Sequence, residues 1–351
     1  NYLLTGPYVT IVDAAPPSDA PPASSDGNFL FDRSRPDFEA VNVYYHIHRY
    51  RKYIDSLGFS DICDLPVKAD ARGSFGDNSF FVEDASGGLL QFGVGGVDDG
   101  EDADVILHEY AHALSACAAP ASNEGFERRA ADEGFGDYVA ASASFDFSPY
   151  RWSDIFTWDG HNEFWSGRSL AEERTWPQVL TQSPNSIYAA GAVWAATLMR
   201  ARMQMSKRDA DRVVVQAQFY NARNMSMRSA AKAVLTADSV LNAGKGRKIF
   251  LEAFCTAQIL TGEDCSPLAR QDGARGVRVY PLPVEDGFVV EMPTETGKLT
   301  LYNAAGKIVR FDSRYRNQTR VEVGDMPAGM YVLGVEDSLG TVRRLKLPVV
   351  R

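Results

Sequence analysis

The sequence predicts an α+β chain in two parts, a helix-rich domain over residues 1–272 and a small all-β, immunoglobulin-like sandwich over 276–351. Three observations predict it. Apolar positions recur at three- and four-residue spacing through most of 104–255. After about 275 the texture changes to short alternating strands broken by Pro, Gly and Asp. Charge divides at the same place, with 25 Lys+Arg against 37 Asp+Glu through residue 275 and 11 against 9 beyond it.

The first 37 residues read as an extended strap, because AAPPSDAPPASSDG (14–27) is too rich in Pro, Ser and Ala to pack as helix or strand. From Phe38 to Leu57 the positions Val41, Tyr44, Tyr45, Ile47, Tyr50 and Ile54 suggest a helix stopped by Gly58. His46 and His48 fall on different faces of it and read as packing or surface residues. Short strands at 78–83 and 89–94 flank Gly87-Gly88, a hairpin signal. Gly93-Val94-Gly95-Gly96 lacks the spacing of a phosphate loop and leads into Asp98, Asp99, Glu101, Asp102 and Asp104, which would repel phosphate. That acidic run reads as a solvated loop. Helices are expected at 104–117, 126–144, 186–205, 208–221, 227–242 and 246–255. Strands are expected at 277–280, 287–292, 297–302, 307–310, 319–323, 329–335 and 341–347, with the domain boundary at 270–276.

A net charge of -10 argues against a nucleic-acid partner, which needs a basic surface to displace counterions from phosphate. No run of apolar residues is long enough to span a membrane, and the N-terminus lacks the basic-then-apolar signature of a signal peptide. An exported protein of this kind would have lost its targeting segment. The cysteines, Cys63, Cys117, Cys255 and Cys265, include no CxxC pair, so a structural zinc ribbon is not expected. Two disulfides, with Cys63–Cys117 and Cys255–Cys265 the favoured pairing, stand against four buried thiols.

The chemistry lies at His108-Glu109-Tyr110-Ala111-His112. Residues four apart share a helix face, so both imidazoles can reach one ion. Glu109, one position on, is aimed beside that ion, where it can take a proton from an attacking water. The following helix carries Asp132-Glu133-Gly134-Phe135-Gly136-Asp137. Glu133 supplies a third protein ligand and leaves a fourth position open, as catalytic zinc requires. Asp137, one turn on, can accept a hydrogen bond from a ligand imidazole and fix its tautomer.

Together these residues resemble the thermolysin-like gluzincin metallopeptidases, especially the fungalysin branch, over roughly residues 1–265. The resemblance implies a two-lobed zinc peptidase domain with a mainly helical C-terminal lobe, acting on proteins or peptides. Asn42-Val-Tyr-Tyr-His46 and Tyr53-Ile-Asp-Ser-Leu-Gly58 resemble the aromatic helix that opens that branch's catalytic domain. Tyr2-Leu-Leu-Thr-Gly-Pro-Tyr8 resembles the junction after its removable propeptide. Asn78-Ser79-Phe80-Phe81 resembles the edge strand that binds substrate backbone, which implies substrate contacts for Asn78 and Ser79. Asp104 matches a family position that helps hold calcium, so Ca2+ is a second candidate ion, although Ser144 and its neighbours supply no evident companion carboxylates.

One departure matters. Where the family places an oxyanion-binding histidine before a Gly-x-x-Trp stretch, this chain has Tyr188 before Gly191 and Trp194. A phenol can also donate to an oxyanion, so Tyr188 is the candidate donor, with His161 the outsider.

Val279-Tyr-Pro-Leu-Pro283, Lys298-Leu-Thr-Leu-Tyr-Asn303, Met326-Pro-Ala-Gly-Met-Tyr-Val332 and the closing Arg343–Arg351 stretch resemble the type A sorting domain of type IX secretion. This implies export across the outer membrane of a Bacteroidetes-type bacterium, with the secretion machinery as a partner. Two functional readings follow. The first is a secreted zinc endopeptidase; the second is a catalytically impaired metal-binding surface protein or adhesin on a peptidase fold.

Overall fold

The structure, a computed structural model, describes residues 1–148, 150–265, 278–280, 284, 287–303, 307–327, 329–337 and 342–349. They form two units, Asn1–Thr261 and Gly262–Arg351. The boundary expected at 270–276 lies outside the described residues.

In the first unit, β1 (Tyr2–Leu3) pairs with β3 (Ala23–Ser24), and β2 (Val9–Ile11) enters a four-stranded sheet. The rest of the N-terminal segment is irregular, as its proline content requires. It is pinned by the amides of Ala14 and Ala15, which donate to Asp70 Oδ2 at 2.8 and 2.9 Å. Helix α1 (Asp37–Ser56) follows, then β4 (Val67–Ser74), β5 (Phe80–Val82) and β6 (Leu89–Gly93). The sheet order is β2-β4-β6-β5, with β2, β4 and β6 parallel and β5 antiparallel at the edge.

Strand β4 alternates apolar and polar residues, but its polar positions include Asp70, which is buried, and Arg72, which is paired. Asp70 holds the strap, and Arg72 pairs with Glu39 of α1 at 2.5 Å, Asp98 at 2.6 Å and Asp19 at 2.8 Å.

Helices then dominate: α2 (Ala103–Ala118), α3 (Phe126–Phe145), α4 (Trp176–Gln182), α5 (Ile187–Arg202), α6 (Lys207–Gln218), α7 (Met227–Asn242) and α8 (Arg247–Thr256). Two-residue strands β7 (Asp154–Ile155) and β8 (Arg168–Ser169) pair within the long connection between α3 and α4. Helix α4 has no counterpart among the expected elements. Seven residues give too few turns for a periodic signal, although Thr175 and Gln178 form a capping box at its start.

Helix α2 is buried nearly all round, with Val105, Ile106, Leu107, Tyr110, Ala111, Ala113 and Leu114 inside. Asp102 caps it, accepting the Asp104 amide at 2.7 Å. A second anchor is Asp211 of α6, 1% exposed, which accepts Tyr53 Oη from α1 at 2.7 Å and Tyr138 Oη from α3 at 2.6 Å. Lys207 Nζ completes it at 2.8 Å. The acidic run therefore differs from a solvated loop. Asp99, Asp102 and Asp104 are all buried, held by amides and hydroxyls of neighbouring segments.

Cys63, after α1, is bonded to Cys117 in the last turn of α2, with Cα atoms 5.2 Å apart. Cys255 and Cys265 are also disulfide-bonded, which leaves them to each other, and no cysteine is free.

Among the described residues of the second unit the seven expected strands are five. The two expected at 287–292 and 297–302 are one strand, β10 (Gly287–Tyr302), and the two at 307–310 and 319–323 are one, β11 (Ile308–Glu322). With β9 (Arg278–Tyr280), β12 (Gly329–Asp337) and β13 (Val342–Val349) they form one sheet. The two halves of β10 have different partners: β9 pairs at Val289–Glu291 and β12 at Gly297–Tyr302. Register shifts near Glu291 and Gly297 account for the apparent break in sequence alternation. Phe288, Val290, Leu299, Leu301, Leu333 and Leu347 belong to its buried core.

The Cys63–Cys117 bridge spans 54 positions. Loop-closure entropy for such a span is about 4 kcal/mol. The Cys63→Ser/Cys117→Ser variant is expected to lose stability of that order in denaturant unfolding, with no change in a chain already reduced.

Candidate metal centre

The centre is built where α2 and α3 cross. A single spacing rule places its first two groups: His108 and His112 lie one turn apart on α2, with ring centroids 4.9 Å apart and planes nearly perpendicular. Helix α3 brings the third. Ligand atoms of His108, His112 and Glu133 all lie within 4.8 Å of one another, and Glu133 Oε2 is 3.5 Å from His108 Nε2. These are the three residues that the sequence selects as ligands.

Two glycines in α3 permit this approach. A Cβ on Gly136 would lie 2.6 Å from His108 Nδ1. A Cβ on Gly134 would run into the Gly191 carbonyl and the Trp194 side chain of α5. The Gly-Phe-Gly stretch between Glu133 and Asp137 is therefore a double close contact, with Phe135 turned into the core.

Each histidine has its own carboxylate behind it. His112 Nδ1 is 2.7 Å from Asp132 Oδ2, so its Nε2 is the nitrogen left for an ion. Asp132 is itself fixed by Ser115 Oγ at 2.6 Å, Arg128 Nη1 at 2.9 Å and Asn123 Nδ2 at 3.0 Å. Burial opposes its charge, but His112 and then Arg128 outweigh that and hold its carboxyl well below the usual range. Burial likewise opposes the charged form of His112, and Asp132 reverses this, raising the imidazole to about 10.

Asp137, fully buried, stands 3.0 Å from His108 Nδ1, a close contact that lacks hydrogen-bond alignment. It accepts Arg168 Nη1 at 2.7 Å. The same guanidinium nitrogen is 3.6 Å from Glu133 Oε2. Burial opposes ionisation of Glu133, yet His108, His112 and Arg168 lower its pKa and keep it anionic.

The residues fit zinc. Two imidazoles and one carboxylate are a catalytic donor set with a fourth position left over. Glu133 Oε2 is buried with no hydrogen-bond partner, as expected of an oxygen kept for a cation.

Glu109 lies beside the triad, 7% exposed, with Oε2 buried and unpartnered. A cleft of about 820 Å³ opens over it, lined by Asn78, Ser79, Arg168 and Tyr188 together with the triad. Tyr188, in the first turn of α5, is 51% exposed, and its ring lies 4.8 Å from the Arg168 guanidinium. Burial first, then the charge of Glu133, raises its pKa, so the phenol stays protonated and able to donate. Asn78 and Ser79 precede the edge strand β5; the Ser79 hydroxyl is turned inward and donates to Asp99 Oδ2.

Two sequence candidates, His161 and Asp104, are placed elsewhere, as are His46 and His48. His161 does not line the cleft, and its Nε2 lies 3.0 Å from the Ile155 carbonyl. His46 and His48 pack in α1, His48 between the rings of Tyr8 and Tyr44. Asp104 has both oxygens engaged, by Ser144 Oγ at 2.5 Å and the Phe156 amide at 3.1 Å. Conversely, Asp132 and Arg168 carry roles that the sequence reading did not assign. Asp132 had a signal, since Arg128 lies one helical turn before it; Arg168 had none.

Comparison with known proteins bears on the second unit. Residues 278–347 match the secretion system C-terminal sorting domain. The chain is also similar to PorZ, an essential bacterial surface component of the type IX secretion system of Porphyromonas gingivalis. That similarity has 18% identity and a TM-score of 0.19, over 23% of this chain and 12% of that one. No curated protein matches the chain. The tail is thus a type IX secretion sorting domain, which directs export across the outer membrane of a Bacteroidetes-type bacterium and engages the secretion machinery.

Asp132→Asn keeps the shape but removes the charge behind His112. Zinc affinity, measured by competition with a chelator, is expected to fall about 10- to 100-fold.

Proposed function

We propose that this exported protein is a zinc-dependent endopeptidase on a two-lobed, thermolysin-like domain, carried out by its sandwich-type sorting tail. The carrying observation is the convergence of His108, His112 and Glu133 to within 4.8 Å, beside the buried, unpartnered Glu109 carboxylate, in the wall of an open cleft. A purely structural zinc site would be closed by a fourth protein ligand.

His108, His112 and Glu133 would hold the ion, with Asp132 and Asp137 setting the two imidazoles. A bound zinc ion supplies Lewis acidity, polarising a carbonyl and lowering the pKa of water to about 7. Glu109 accepts a proton from the attacking water and returns it to the leaving amine. Tyr188 Oη donates to the oxyanion that develops on the peptide carbonyl. The free edge of β5, entered through Asn78 and Ser79, pairs with the substrate main chain, so many sequences can bind.

The second reading, a metal-binding adhesin that no longer cleaves, rests on Tyr188 standing where an imidazole is expected. The sandwich reading of the tail rests on β10, whose halves take different partners.

Digestion of a mixed peptide library separates the readings. Wild type is expected to cleave, whereas Glu109→Ala should keep its zinc and lose about 10²- to 10⁴-fold in kcat. Zinc-loaded wild type that cleaves nothing would favour the adhesin. Tyr188→Phe is expected to lower kcat about 10²- to 10³-fold with little change in KM, the pattern of a lost oxyanion donor.

A further inference from the structure

A second group of carboxylates lines the same cleft as the triad. Asp77, just before the edge strand, Asp99, in the turn ahead of α2, and Asp159, in the connection after β7, each bring an oxygen within 4.8 Å of the other two. Asp77 is exposed, but Asp99 and Asp159 are each only 3% exposed. Both keep a buried oxygen, Oδ1, that meets no hydrogen-bond donor. Asp99 Oδ2 is already taken by Ser79 Oγ and, at 3.3 Å, by the Gly93 amide, so Oδ1 is the oxygen free for a ligand. No Lys or Arg forms an ion pair with any of the three among the described residues.

This contrasts with three other buried carboxylates of the same unit. Asp132, Asp137 and Asp211 each meet a cationic side chain and hydrogen-bond donors. Buried carboxylates that crowd one another without a cation are costly, and the cost is met by a proton or by a metal ion. Three carboxylates with no nitrogen or sulfur donor are a hard-cation set.

We propose that Asp77, Asp99 and Asp159 form a second metal site, one that takes calcium. Calcium accepts six to eight oxygens in flexible geometry, so three carboxylates, some bidentate, with water can satisfy it. Burial, then the charges of Asp159 and Asp77, pushes the Asp99 carboxyl up to about 8 against its Ser79 and Gly93 hydrogen bonds. Burial, then Asp77 and Asp102, pushes Asp159 up to about 7. Both shifts are those of groups lacking a counter-ion. The site joins three segments distant in sequence, and Asp77 leads directly into Asn78, Ser79 and β5. Calcium would therefore clip the start of the edge strand to the turn before α2. This inference stands on the carboxylates alone and does not depend on the peptidase reading.

The test uses the full chain with zinc supplied. Calcium uptake is measured by equilibrium dialysis on wild type, Asp77→Asn and the double variant Asp99→Asn/Asp159→Asn, with zinc content and thermal unfolding followed on the same samples. Wild type is expected to take up one calcium per chain and to unfold at a higher temperature with it. Asp77→Asn, which removes one ligand charge, should bind about tenfold more weakly. The double variant should bind none, with zinc content unchanged. Absence of uptake by wild type at millimolar calcium overturns the proposal, as does uptake by either variant equal to wild type. Asp77 is exposed, so that variant decides the matter even if the double variant fails to fold.

Discussion

The first unit depends on how closely α3 can pass over α2. An imidazole at His108 fills the space in which a side chain at position 136 would stand, so the crossing is possible only with glycine there. Once the helices are at that distance, Glu133 and Asp137, four residues apart, reach opposite ends of the same ring. Asp132, one residue before Glu133, falls behind His112 instead. The position of one helix thus orients two histidines and delivers a third donor, and the packing of α5 on Gly134 fixes that position from the far side.

Most of the helical frame was legible because amphipathic periodicity and HExxH spacing are local properties. The helices expected at 126–144 and 227–242 run Phe126–Phe145 and Met227–Asn242. What was not legible is what depends on distant pairing. Nothing local shows that Asp70 and Arg72 of strand β4 find their partners up to 56 positions away. Arg168 opens the two-residue strand β8, 31 positions from the Asp137 it supports. The acidic run looked solvated because nothing local shows that Asp99, Asp102 and Asp104 each meet donors from other segments. In the tail, alternation breaks within β10 and β11, so each strand reads in sequence as two.

A common pattern links these interior charges. Arg72 with Glu39 and Asp98 and Arg168 with Asp137 join different elements, whereas Arg128 with Asp132 and Lys207 with Asp211 pair one turn apart within α3 and α6. Such pairs contribute little net stability against well-packed apolar residues, but they tolerate few alternative arrangements. In this unit they surround the helices that carry the triad, where a loosely held helix would move the ligands apart.

The shortness of β5 has a further meaning. Three residues, with Phe80 and Val82 partly exposed, leave a sheet edge that β6 pairs on one side only. Long exposed edges invite two copies of a protein to zip together, whereas an edge of three residues offers too few main-chain groups for that. The same brevity limits how much of a bound chain can be gripped without regard to sequence. An exported protein of this kind keeps its sheet edge open, yet too short to stick to a second copy.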